Sequence, residues 1–206
     1  MENMNIKKTL EIIRSRKNPV IFDRKNRFIY FPNNKVAQVS IVRGALGDRS
    51  IIWKDDQKKW ERKMARLNPK RFEHVFTFAI VRNPFDRAVS AFKYLQLKGV
   101  VETKLEFRKF CYDILRIQGT SFNPHFDIQS DGLFCDGFPI PKFIARFEKI
   151  EQDWQIISKA IKGPQELPHQ NKSKRKKDYA EYYDDFSKEL ISTLYAEDLK
   201  NFYYEF

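Results

Sequence analysis

Residues 76–92 read FTFAIVRNPFDRAVSAF: an apolar run stops at Arg82, a turn follows at Asn83-Pro84, and a helical pattern then carries Arg87 and Ser90. A buried strand that delivers an arginine at its C-terminal end, with a hydroxyl on the next helix, is a way to hold a phosphate. Open α/β sheets take ligands at the carboxyl ends of their strands. A guanidinium offers phosphate a planar fork of donors. Two plainer readings stand beside this one. Arg82 could pair with Asp86 one turn on, and Ser90 could be an ordinary helix-surface serine.

A second cation stands in a similar setting. RFIYFP, residues 27–32, reads as a buried strand, and NNKVAQVSIVRGALG as a loop and a helix that ends near Gly47. Backbone N–H groups at the start of such a helix point at an anion, and the helix dipole adds to the attraction. Lys35 stands at the mouth of the loop, and Ser40 brings a hydroxyl. The stretch is not a Walker A sequence, because Lys35 precedes the small residue Ala37 and no glycine occurs before Gly44. The bland alternative is a lysine in a strand-to-helix turn.

The candidate proton acceptors are few. Histidine occurs only at positions 74, 125 and 169. His74 precedes a strand and reads as a surface or capping residue, and His169 lies beside a basic loop. His125 lies in the stretch 118–141, which is rich in turn formers and shows no clear helix. A loop of that length in a compact domain is functional or locally structured. A histidine of near-neutral pKa suits general-base work. Asp127, Asp131 and Glu148 are the alternatives, and a structural role is the alternative for His125 itself.

The elements that must position these groups follow from periodicity. Residues 56–67 are charged, with Trp60, Met64 and Leu67 on one helical face. A strand at 75–81 leads to a helix from about 84 to 97, where Pro84 suits the first turn because its missing N–H is not needed there. Helices are predicted at 104–117 and 150–161, a third strand at 142–147, and a terminal helical region from about 179 to 202. Ile6, Leu10 and Ile13 share a face of a short N-terminal helix. The aromatic tail, Phe202 to Phe206, is expected to pack on the core. One domain over 1–206 accounts for the pattern, with residues 1–25 as an N-terminal helical extension.

Lys and Arg number 39 against 27 Asp and Glu, a formal charge of +12. That excess favours an anionic partner: nucleic acid, a membrane surface, a nucleotide or an acidic polymer. Part of it sits in KSKRKK, residues 172–177, which also reads as a solvated loop. No nucleic-acid-binding motif supports a polynucleotide partner. No segment approaches the roughly 20 apolar residues of a membrane span. Cys111 and Cys135 lack CxxC spacing, so no zinc site is expected; one disulfide is possible in principle, and a reduced pair is the expectation where no export signal is read.

Taken together, the two strand–loop–helix units resemble the PAPS-dependent sulfotransferases, in particular the carbohydrate-type group that includes the heparan sulfate 2-O-sulfotransferases. PAPS is 3′-phosphoadenosine-5′-phosphosulfate, whose two phosphate positions explain two anion sites. FPNNKVAQVSI is similar to the 5′-phosphosulfate loop, and FAIVRNPFDRAVSAF to the 3′-phosphate motif. HFDIQ, FIARFEKIEQDW, LPHQNKS and the C-terminal YYDDFSKELISTLYAEDLKNFYYEF complete the likeness. Departures are Asn33 and Asn34 between Pro32 and Lys35, and Gln38 and Val39 where small residues and Thr are usual.

The resemblance implies a P-loop-like, three-layer α/β/α fold with a central, mostly parallel sheet. It implies sulfo transfer to a carbohydrate hydroxyl without a metal, the basic surface favouring an anionic acceptor. Lys35 would meet the 5′-phosphate and the leaving oxygen, and Val36, Ala37, Gln38, Val39 and Ser40 would cradle that phosphate. Arg82 and Ser90 would bind the 3′-phosphate, His125 would be the base, and Lys174 or Arg175 would fold over the nucleotide. Relatives in eukaryotes carry an N-terminal anchor and work in the Golgi. Without one, this chain is expected to be a bacterial or viral cytoplasmic protein, or a piece of a Golgi protein.

Overall fold

Short strands of aromatic and β-branched residues start the fold. A computed structural model describes residues 6–16, 18–23, 25, 27–51, 57–168 and 178–206. Its first half contains α1 (Ile6–Ser15), β1 (Ile21–Asp23), β2 (Phe28–Phe31), a π-helical turn (Ser40–Leu46), β3 (Ser50–Ile51), α2 (Gln57–Ala65), α3 (Pro69–His74), β4 (Phe76–Val81) and α4 (Pro84–Leu97). Then come α5 (Phe107–Phe110), a second π-helical turn (Cys111–Leu115) and α6 (Arg116–Gln118). Two short 3₁₀ turns follow, Gly119–Phe122 and Pro124–Phe126, and a hairpin of β5 (Phe134–Cys135) and β6 (Phe138–Pro139). β7 (Phe143–Arg146), α7 (Ile150–Ile161), α8 (Asp185–Leu194) and α9 (Ala196–Phe202) complete the chain.

The fold is mixed α/β, with a five-stranded sheet in the order β3-β1-β2-β4-β7. Its centre is parallel. Phe28–Phe31 of β2 register with Phe76–Ala79 of β4, and Phe78–Val81 of β4 with Phe143–Arg146 of β7. β1 adds antiparallel margins of two residue pairs each to β2 and β3. The expectation of a mostly parallel sheet holds. β2 is buried at every position, as the unbroken apolar runs of parallel strands require. Parallel pairing makes β2 and β4 end at the same edge. Lys35 follows β2 in the chain, and Arg82 follows β4 directly.

The described residues divide into two compact units. One takes those of Met1–Asn33, Ala37–Val81 and Asp131–Asn171; the other takes those of Asn34–Val36, Arg82–Ser130 and Lys172–Phe206. The first unit is the sheet, with α7 against β4 and β7. Inside it the Tyr30 and Phe78 rings stack at 4.8 Å, and Trp60 donates from Nε1 to Val20 O at 2.7 Å. α1 buries Leu10 and Ile13, as their spacing predicts.

The second unit is helical. α4 is capped by Asn83, whose Oδ1 accepts from the Phe85 N–H at 3.0 Å. The core beneath it is aromatic: Phe85, Phe92, Phe107, Phe110, Phe126, Tyr183 and Tyr195. α8 opens with a reciprocal cap between Asp184 and Ser187. Phe206 meets Phe85 edge-on at 5.0 Å, so this end of the tail packs on the core as expected, whereas Tyr203 is exposed.

One feature departs from the sequence reading: β1 lies inside the stretch read as an N-terminal helical extension, and with two or three residues β1 and β3 are too short to show a period. Residues 118–141 are locally structured as 3₁₀ turns and a hairpin. Both cysteines are free and buried.

Candidate active site

The Lys35 loop is backbone-strained. Lys35 has φ +67° and Ala37 φ +58°. The left-handed region costs a residue with a Cβ on the order of 1–3 kcal/mol, and such residues gather at ligand sites. In the first unit, Asn33 anchors the start of the loop by donating from Nδ2 to Ile80 O at 3.1 Å. Beyond it, Ile41 N–H donates to Ala37 O at 3.0 Å and begins the helical turns. In the second unit, the Lys35 ammonium lies 4.1 Å from the centroid of the Tyr94 ring. Among the described residues no carboxylate pairs with it. Burial, and then the charge of Arg82, lower its pKa to about 8.

Arg82 leaves β4 already engaged. Its Nε and NH2 reach Asp86 Oδ2 at 2.8 and 2.7 Å, and its NH1 donates to Lys35 O at 3.1 Å. The ion pair that the sequence allows as an alternative is therefore formed. The backbone of Arg82 is clamped as well. Its N–H donates to Gln129 Oε1 at 2.9 Å, and its carbonyl accepts from Gln129 Nε2 at 2.8 Å. Gln129 is held in turn by Asp198, a fully buried carboxylate. Asp198 Oδ2 accepts from Gln129 N–H at 2.9 Å, and its Oδ1 accepts from the N–H and Oγ of Ser130 at 2.7 and 2.8 Å.

His125 lies in the 3₁₀ turn opened by Asn123, whose Oδ1 accepts from the His125 N–H at 3.1 Å. Its ring stands edge-on to Tyr94 with centroids 4.6 Å apart. Nδ1 is buried and, among the described residues, has no hydrogen-bond partner. Burial first, and then the charges of Lys35 and Arg87, push its pKa down to about 4. The imidazole is thus neutral at physiological pH, the form a base needs.

The second unit contains Lys35, Val36, Arg82, Ser90 and His125. Ser90 is half-buried on α4, one turn after Arg87. Ala37, Gln38, Val39 and Ser40 belong to the first unit; Ser40 is buried there and Val39 is exposed. Lys174, Arg175 and His169 lie outside the described residues. His74 is exposed at the end of α3, and Glu148 is in the turn after β7.

Sequence reasoning missed Tyr94, which touches both Lys35 and His125, and gave Gln129 and Asp198 no role. The signal for Tyr94 was available. Arg87, Ser90 and Tyr94 fall at i, i+3 and i+7 and share one helix face.

With this geometry in place, comparison with known proteins is informative. Residues 20–205 match the Sulfotransferase family, and the chain belongs to it. Sulfo-group transfer to a hydroxyl-bearing acceptor is the chemistry that membership gives. No curated protein and no solved structure matches the chain. Among the described residues, no helix is long and apolar enough to cross a membrane.

Proposed function

We propose that this chain moves the sulfo group of PAPS to a carbohydrate hydroxyl by in-line displacement. The observation that carries the reading is the Lys35 ammonium, half-buried and, among the described residues, without a carboxylate, in one unit with a neutral His125. A half-buried ammonium whose pKa is lowered by burial and by the charge of Arg82 fits a multiply charged anion. When bound, PAPS supplies the activated sulfuryl group.

The residues divide the work. Lys35 neutralises the charge that grows at the leaving oxygen, an interaction stronger in the transition state than before it. The N–H groups of Val36, Ala37, Gln38, Val39 and Ser40 hold the 5′ end. Arg82 and Ser90 hold the 3′-phosphate. His125 takes the proton of the acceptor hydroxyl on its neutral imidazole. No residue here fixes which sugar is used. The carbohydrate class rests on the likeness of the Arg82 and Lys35 stretches to the carbohydrate-type group.

A second reading, a nucleotide-binding protein of the same fold without turnover, has one observation in its favour. An imidazole with a pKa of about 4 is a weak proton acceptor. Affinity for adenosine 3′,5′-bisphosphate and sulfo transfer to a panel of sugars, measured on one sample, separate the two. Binding with transfer supports the first. Binding without transfer to any sugar supports the second, and absence of binding sinks both.

A further inference from the structure

Four consecutive carbonyls around His125 are each held by a side chain. Pro124 O accepts from Asn34 Nδ2 at 2.8 Å, and His125 O from Arg87 NH1 at 3.2 Å. Phe126 O accepts from the Tyr195 hydroxyl at 2.7 Å, and Asp127 O from Arg87 NH2 at 2.5 Å. The turn is largely half-buried, so its carbonyls need partners other than bulk water. Here one planar guanidinium spans two of them, a use for which lysine has no equivalent.

Arg87 is only 2% exposed, and its guanidinium carbon lies 5.2 Å from the centroid of the Tyr195 ring. Among the described residues it has no ion pair. A phosphate ligand must turn its donors outward, whereas Arg87 commits both terminal nitrogens to the backbone of the His125 turn. Asn34 is the residue before Lys35, and it is one of the two by which this chain departs from the Pro-Lys pattern. It supplies a donor that joins the lysine loop to that same turn. Lys35 on the face of Tyr94 and His125 at its edge complete the surroundings.

We propose that Arg87 and Asn34 are positioning residues that hold the His125 turn against Lys35, and that Arg87, despite standing in the phosphate-binding stretch, is not a phosphate ligand. The proposal rests on the reading of Lys35 and His125 as the reacting pair. It gives one chemical task to an arginine and an asparagine that the family likeness leaves without one.

The test uses the full chain with Arg87→Gln, Arg87→Lys and Asn34→Ala. His125 ring titration by NMR, affinity for adenosine 3′,5′-bisphosphate by calorimetry, and kcat for sulfo transfer are the readouts. Arg87→Gln removes a charge that faces the imidazole, so the His125 midpoint rises by about one pH unit. Its kcat falls by roughly 10²-fold, as for a reacting group displaced by about an ångström. Arg87→Lys keeps the charge, so it lowers kcat with the midpoint near native. Asn34→Ala removes a partly exposed bond and stays folded; it raises the midpoint less and lowers kcat by about tenfold, equivalent to roughly 1.4 kcal/mol. In all three, bisphosphate affinity stays within about twofold.

A tenfold loss of bisphosphate affinity in Arg87→Gln, with the His125 titration unmoved, would make Arg87 a phosphate ligand and overturn the proposal. So would an unchanged midpoint and kcat in folded Asn34→Ala. If the native protein binds nucleotide but shows no turnover, the transferase reading fails, and the His125 titration alone decides the clamp.

Discussion

Arg82 NH1 donates to the backbone oxygen of Lys35 at 3.1 Å, so the two cations assigned to opposite ends of one nucleotide are joined directly. The bond ties the residue after β4 to the loop after β2. It also sets one positive charge near another, which is part of why Lys35 holds its proton less tightly than an ordinary lysine. An arriving anion relieves that repulsion.

Lys35→Met tests this directly. It keeps an apolar stem and removes the ammonium, and turnover should fall by roughly 10²–10³-fold, the range seen when one transition-state donor is lost. The pH dependence has a definite sign. The folded pKa of about 8 lies below the ordinary lysine value of 10.5, so between these values the unfolded chain holds more protons. Stability therefore rises with pH across that window. Anion affinity moves the opposite way, weakening as the ammonium is lost above about 8. Denaturant midpoints and bisphosphate titrations against pH should show both slopes, and Lys35→Met should flatten both. Parallel slopes in native and variant proteins would exclude Lys35 as their source.

Asp86→Asn tests the competition for Arg82. The pair is largely buried, with side-chain exposures of 9% and 13%. Breaking such a pair by removing one charge costs about 3 kcal/mol or more. The melting temperature should drop. The preference for adenosine 3′,5′-bisphosphate over the 5′-monophosphate should grow, because the carboxylate no longer neutralises the guanidinium. An unchanged preference would argue that Arg82 is a strut and not a 3′-phosphate ligand.

Gln129→Leu tests the backbone clamp. The substitution nearly conserves volume but leaves the N–H and carbonyl of Arg82 without their partners. Each buried group so stranded costs about 1–3 kcal/mol. A loss below about 1 kcal/mol in the urea midpoint would mean that water replaces the amide and the clamp is dispensable.

Legibility in the sequence followed the range of the interactions. The strand of Phe76–Val81, the Pro84 helix start and the Leu10/Ile13 face were readable because each is set by local pattern. β1 and β3 were not, since two or three residues gain their identity only from partners across the sheet. In the site, Lys35, Arg82 and His125 stood out by type and setting. The Gln129–Asp198 relay spans 69 positions, and no local signal announces a contact of that separation. Tyr94 was legible in principle from its helical spacing to Arg87 and Ser90.

Ala37→Gly tests the strain in the loop. Its φ of +58° suits glycine, while the extra freedom of glycine in the unfolded chain offsets part of the relief. The net gain should be on the order of 1 kcal/mol, read as a raised melting temperature. A lower melting temperature would show that the Ala37 methyl contributes packing that outweighs the backbone strain.

His125→Ala carries the most mechanistic weight. Turnover should vanish while bisphosphate affinity stays close to native, because the proposed role of the imidazole is on the acceptor and not on the phosphates. The acid limb of the free enzyme's kcat/KM profile should fall near pH 4 and not at the ordinary value of 6.5, since burial, Lys35 and Arg87 all oppose the imidazolium. The same shift bears on folding. Between those two values the unfolded chain binds the extra proton, so stability declines as pH falls from 6.5 towards 4. Removing the ring should flatten that decline. Retained turnover in His125→Ala would transfer the role of base to another group, with Asp127 the first to test because Arg87 holds its carbonyl within the same turn.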